Sequence, residues 1–231
     1  MKITWLGHSS FRIEIADCVL LVDPWLDGNP SFPETAREDA LAGVTHVLVS
    51  HGHGDHSSGA IAICRDHDVP AVGIYDLMSW WEEKETIQTI GFNKGGTVDL
   101  PGEVSVTMTN AVHSSSVGGE NGPVYVGAEA GFVIRGEGHT IYFSGDTDVM
   151  ADMGVIGERY APDIGILCAG GHFTMDMEGA AWAARKYFDF KTVIPCHYKT
   201  FPLLAQSADA LVAGLPGVDV RTPAVMEVVE L

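Results

Sequence analysis

The chain has 231 residues, 46% of them apolar, enough for one domain with a sizeable core. Its 31 acidic residues against 13 Lys and Arg give a formal net charge of −18, a field that repels phosphate backbones and anionic headgroups and so excludes long nucleic acid and membrane surfaces as partners. No apolar run approaches the roughly 18 residues of a membrane span, no secretory core opens the chain, and Cys18, Cys64, Cys168 and Cys196 form no C-x-x-C pair; the expectation is a single cytoplasmic domain, 1–231, with small buried thiols.

In chain order, strands are expected at Lys2–Leu6, Phe11–Ile15, Val19–Asp23 and His46–Ser50, then at Val104–Val112, Phe132–Arg135, Thr140–Phe143, Ile164–Cys168, Val193–Cys196 and Val225–Val229. Helical patterns fall at Ser58–Asp68, Asp76–Thr86, Asp176–Phe188 and Leu203–Gly214. The third has Thr174 as its expected cap, with Asp176 and Glu178 at the positive end of its dipole. Hairpins come before strand–helix alternation, which predicts an α/β architecture of mixed sheets faced by helices. Two irregular loops, Pro24–Thr35 with Trp25 and Phe32, and the Gly- and Ser-rich Ser114–Pro123, are the candidates for covering a site.

The chemistry concentrates in His51-Gly52-His53-Gly54-Asp55-His56, directly after an apolar strand and before a helix. At a strand end this spacing lets His51 and His53 face one metal while Asp55 and His56 turn toward a second, with Gly52 and Gly54 permitting a tight backbone. Imidazole and carboxylate without thiolate suit zinc and argue against an iron–sulfur or closed structural site. A search for other His or Asp residues just past an apolar strand finds three: His113, Asp146 and His197. Delivered to one sheet edge, they would complete the ligand set. His46, His67 and His139 fail the test and read as bystanders, while His8 and His172 follow strands and are candidates for lining the pocket, together with Trp25. Trp80 and Trp81 read as core or a subunit contact, which leaves a homo-oligomer open. A serine hydrolase using Ser9 or Ser10 lacks the G-x-S-x-G elbow, and the Gly-rich Val117–Gly122 lacks the Lys-Ser/Thr ending of a P-loop.

These residues resemble the metallo-β-lactamase superfamily, whose H-x-H-x-D-H stands here as His51-x-His53-x-Asp55-His56 and whose later histidine, bridging aspartate and final histidine fall on His113, Asp146 and His197. Leu6–Phe11, Gly171–Met175 and His197–Pro202 look like blocks of a bacterial and archaeal subgroup of uncharacterised metal-dependent hydrolases, with Lys199 departing from the Asn expected after the Tyr. The resemblance runs from Leu6 to Pro202 and implies a four-layer αβ/βα sandwich with metals at the sheet edges. His53 rather than Glu favours hydrolysis over the redox chemistry of flavin-linked di-iron members, and Asp146 rather than Cys argues against a true β-lactamase.

The implied cofactor is two divalent metal ions, zinc foremost with Mn, Fe or Ni as alternatives. His51, His53 and His113 would hold the first, Asp55, His56 and His197 the second, and Asp146 both. A bridging hydroxide oriented by Asp55 would attack a small ester, lactone or amide, with His172 or Tyr198 stabilising the oxyanion or protonating the leaving group. A small phosphodiester is the alternative substrate, and a non-catalytic metal-binding or sensor protein is the alternative role.

Overall fold

In the computed structural model, which describes Met1–Leu231, the chain runs twice through the same order: an antiparallel meander, then strand–helix alternation. The first half holds β1 (Lys2–Gly7), β2 (Ser10–Ile15), β3 (Cys18–Val22), α1 (Arg37–Leu41), β4 (His46–Val49), α2 (Gly54–Ser57), α3 (Ala60–His67), β5 (Ala71–Ile74), α4 (Tyr75–Glu85) and β6 (Thr89–Phe92). The second begins with β7 (Thr97–Leu100), β8 (Val104–Asn110) and a small hairpin, β9 (Val117–Gly119) and β10 (Gly122–Val124). It continues through β11 (Ala130–Gly136), β12 (His139–Phe143), α5 (Asp152–Tyr160), β13 (Ile164–Cys168), α6 (Met177–Tyr187), β14 (Thr192–Cys196), α7 (Asp209–Gly214) and β15 (Asp219–Val220), before β16 (Val228–Glu230) returns to pair with β1.

One seven-stranded sheet has the order β16-β1-β2-β3-β4-β5-β6 and the other β15-β14-β13-β12-β11-β8-β7. In the first, pairing is antiparallel up to β3 and parallel from β3 to β6; in the second it is antiparallel from β7 to β12 and parallel from β12 to β15. Parallel neighbours need crossovers, which the helices supply, and strands covered on both faces read as unbroken apolar runs. Accordingly every residue of β4, β5, β13 and β14 is buried. Aromatic side chains join the two sheets, with ring centroids 6.3 Å apart for Phe11 and Phe143 and 6.4 Å for Phe92 and Phe132. With α3 and α4 on the first sheet and α6 on the second, the result is the four-layer αβ/βα sandwich. No helix is long and apolar enough to cross a membrane.

Local chemistry moves several expected boundaries. Asp176, not Thr174, caps α6: its Oδ1 accepts from Gly179 N at 2.7 Å, while the Thr174 hydroxyl donates to Met175 O. The helix expected from Leu203 begins only at Asp209, because the Gln206 amide donates to Phe201 O and Leu204 O and so holds this stretch as a turn. β8 stops at Asn110, where Val112 turns aside to donate its N–H to Thr147 Oγ1 at 3.0 Å. The strand expected at Val225–Val229 covers only Val228–Glu230.

Candidate metal centre

Every group with site chemistry leaves the same edge of the two sheets. Past β4, Ser50 and His51 lead into a turn in which His53 keeps an extended backbone and caps α2, so Asp55 and His56 lie on that helix's first turn. His113 follows β8, and its strand end is tied to the loop after β12 by Asp148 N donating to Val112 O at 3.0 Å. That loop carries Asp146, brought in by Gly145, whose φ of 60° and closeness to the Ala130 carbonyl admit no side chain. His197 follows β14 with its N–H on the His8 carbonyl at 3.0 Å, and both histidines hold positive φ, 58° and 53°. Such backbone strain is tolerated where the surroundings over-determine it.

Two groups of donors result. His51, His53 and His113 bring ligand atoms within 4.8 Å of one another, and so do His8, Asp55, His56 and His197. Asp146 stands between them: its Oδ2 is 3.1 Å from His197 Nε2, 3.2 Å from His56 Nε2 and 3.6 Å from His113 Nε2.

The hydrogen bonds fix which nitrogens carry protons. Ser50 Oγ donates to Asp23 Oδ2 at 2.6 Å and so must accept from His51 Nδ1 at 3.0 Å, which leaves His51 Nε2 a bare lone pair 3.0 Å from His53 Nδ1. His56 Nδ1 donates to Asp23 Oδ2 at 2.8 Å, and its Nε2 has no hydrogen-bond partner, although it is fully buried beside Asp146. Asp146 Oδ1 is orphaned in the same way. Burial pushes His51 well down, while Asp146 and Asp23 overcome burial to push His56 well up. Burial alone would raise Asp146, but His56 and His197 hold its carboxyl well below the usual carboxylate range. The bare His51 lone pair and the unpartnered Asp146 Oδ1, buried in one cluster, are costly unless positive charge lies among them. An all-imidazole and carboxylate set of this kind fits divalent cations of the zinc type.

The remaining candidates divide. His8, expected only near the pocket, lies in the cluster: fully buried, it places Nε2 3.1 Å from Asp55 Oδ2 and Nδ1 2.9 Å from Thr200 Oγ1, and burial pushes it down to about 4. Trp25 packs edge-on to His8 at 5.3 Å. His172 is exposed, its ring 4.4 Å from that of Phe173, and it makes no contact with the donor groups. Tyr198 is a correction: it is fully buried, stacked on Trp5 at 5.3 Å, and burial pushes its hydroxyl up to about 12, so it can reach no substrate. His46 bonds Thr45 Oγ1 and His139 bonds Asp163, both away from the cluster. Of the two irregular loops, one brings Trp25 to His8, and in the other Ser115 Oγ accepts the Gly52 N–H at 3.1 Å.

Sequence reading missed Asp23, Ser50 and Thr200, which orient the rings of His56, His51 and His8. Asp23 carried the same signal as the ligands, a carboxylate at a strand end, but was absorbed into the expected strand Val19–Asp23.

A family model described as a beta-lactamase superfamily domain matches residues 19–198. A UPF0173 metal-dependent hydrolase of Dinoroseobacter shibae is 68% identical over 231 residues, the whole of both chains. One of Paracoccus denitrificans is 64% identical over the same span. Among solved structures, a metallo hydrolase of the hyperthermophilic archaeon Ignicoccus hospitalis matches with a TM-score of 0.86 and 32% identity, covering 99% of this chain and 97% of the other.

Proposed function

From the premise that this chain belongs to the beta-lactamase superfamily, among its UPF0173 metal-dependent hydrolases, we propose that it cleaves a small ester, lactone or amide at a dinuclear, zinc-type centre. The observation that supports two ions is the position of Asp146, one carboxylate oxygen of which lies within 3.1–3.6 Å of histidines from both donor groups. His51, His53 and His113 would hold one ion and Asp55, His56 and His197 the other, with Asp146 within reach of both groups. Such ions, when bound, would supply Lewis acidity and lower the pKa of a water from about 16 toward about 7.

The chain's own groups do the rest. Asp55 is the carboxylate of the set that reaches solvent, with 32% of its side chain exposed against 2% for Asp146. It accepts a hydrogen bond from the attacking water and aims it, while His8 and Thr200 fix its direction. Asp23 and Ser50 hold the rings of His56 and His51, so the ligands need no reorganisation. To His172, exposed and beside Phe173, we assign donation to the leaving group or the developing oxyanion.

The test is elemental analysis of purified protein together with turnover on lactones, p-nitrophenyl esters and bis-phosphodiesters, for the wild type and Asp146→Ala. Two equivalents of metal and activity on the carbonyl panel, both lost in Asp146→Ala, support the reading. Preference for phosphodiesters moves the substrate class, no turnover at all points to a binding or sensor role, and full activity in Asp146→Ala removes its place between the ions.

A further inference from the structure

We infer that the half of the site bounded by His8 and His197 opens onto an apolar subsite, walled by Trp25, Phe201 and Phe173, that takes an uncharged aryl or alkyl group of the substrate. The inference rests on the hydrolase reading above for the bond that lies beside this group. Ring centroids of Trp25 and Phe201 lie 5.3 and 5.6 Å from that of His8 and 5.8 Å from each other, with planes only 32° apart, so the two form one continuous surface. Neither is fully buried. On the other side of the same donor group, the Phe173 ring is 6.5 Å from that of His197.

Exposure makes this more than packing. Phe173 is 50% exposed and Leu203 64%, each on a turn in the loop that follows β13 or β14. The turns are pinned by Thr174 N donating to Gly171 O and Leu204 N donating to Phe201 O. Large apolar side chains fixed in water beside a reactive centre are the usual lining of a small-molecule site.

Charge points the same way. In a chain with 31 acidic residues, Ala169–Met175 and His197–Ala208 contain none. The one cation there, Lys199, lays its ammonium over the Tyr198 ring at 5.1 Å, and nearby Asp27 is paired with Arg37 at 2.8 Å. The hairpin packed against His51–His56 is mixed, offering Gly118, Gly119, Glu120 and Asn121 at its tip, with Val124 and Tyr125 exposed just after it. The loops that carry Phe173 and Phe201 therefore bring no carboxylate to the centre, whereas the hairpin brings Glu120.

The test uses zinc-loaded full-length protein and straight-chain carboxylates from acetate to octanoate as product-like probes, with binding read by calorimetry and turnover read on the matching p-nitrophenyl esters. Transfer of each methylene out of water predicts Kd falling about two- to fourfold per carbon over the first few carbons. Trp25→Ala and Phe173→Ala each flatten that dependence, whereas Trp182→Ala, an exposed indole on α6, keeps it. Phe173 is half exposed, so its variant folds even if loss of Trp25 disturbs His8. A wild-type Kd independent of chain length overturns the subsite, as does a dependence that survives in both variants. A retained dependence with no ester turned over supports the subsite and removes the carbonyl-hydrolase reading instead.

Discussion

Oδ2 of Asp23 lies 2.8 Å from Nδ1 of His56, and neither side chain is exposed at all. The same carboxylate takes the N–H and the hydroxyl of Ser50 at 2.7 and 2.6 Å, so one buried group orients His56 directly and His51 through Ser50. Removing one partner of a buried pair leaves the other uncompensated, at a cost of about 3–5 kcal/mol. Asp23→Ala should lose stability on that scale in urea titration. Asp23→Asn, which keeps the shape, should weaken zinc binding by about 10- to 100-fold in a chelator competition, with no ligand altered.

Gly170 tests how tightly His197 is held. A Cβ there would collide with the His197 carbonyl, whose own φ is already in the left-handed region. Gly170→Ala should destabilise by about 1–3 kcal/mol and lower metal content, read by thermal melting and elemental analysis of the same preparation.

Tyr198→Phe should do little. The hydroxyl is buried and has no hydrogen-bond partner, so deleting it removes a desolvated polar group. Stability should stay the same or rise by up to about 1 kcal/mol, with metal content and turnover intact. A large drop in kcat would return this residue to the reaction.

Acid should weaken one contact at the other end of the second sheet. Burial pushes the Asp163 carboxyl up, but the Thr140 N–H at 2.8 Å and His139 at 3.0 Å outweigh it and hold it below the ordinary value of 3.8. A depressed folded pKa contributes stability above the unfolded value, and that contribution disappears as pH falls through the folded one. Asp163→Asn should therefore cost about 1–2 kcal/mol near neutral pH, and the gap to wild type should close below about pH 4. Urea titrations with chelator present separate this from loss of metal.

How much of this was readable beforehand depended on burial and on run length: β5, buried throughout, was missed because its four residues follow Pro70 and include Gly73. β4, β13 and β14, covered on both faces, left apolar runs that could be recognised, and the residues just beyond them supplied His51–His56 and His197. β6 and β7 lie at sheet edges with mixed burial and left no such run, so they went unseen. α5 was missed because only Met153 and Ile156 bury from it, and its glycines, 154 and 157, weaken the helical pattern. The place of His8 was hidden for another reason: its neighbours Asp55 and Thr200 are 47 and 192 residues away, and no local pattern encodes that meeting.

The first sheet supplies His51, His53, Asp55 and His56, and the second supplies His113, Asp146 and His197. Cations bound among them would act as rivets across a seam, and folded-state ligands add stability in proportion to the logarithm of their free concentration above Kd. Severing the chain in the turn between β6 and β7 would then yield two pieces that meet through β16 on β1 and through the shared core, with a bound divalent ion tightening their reunion.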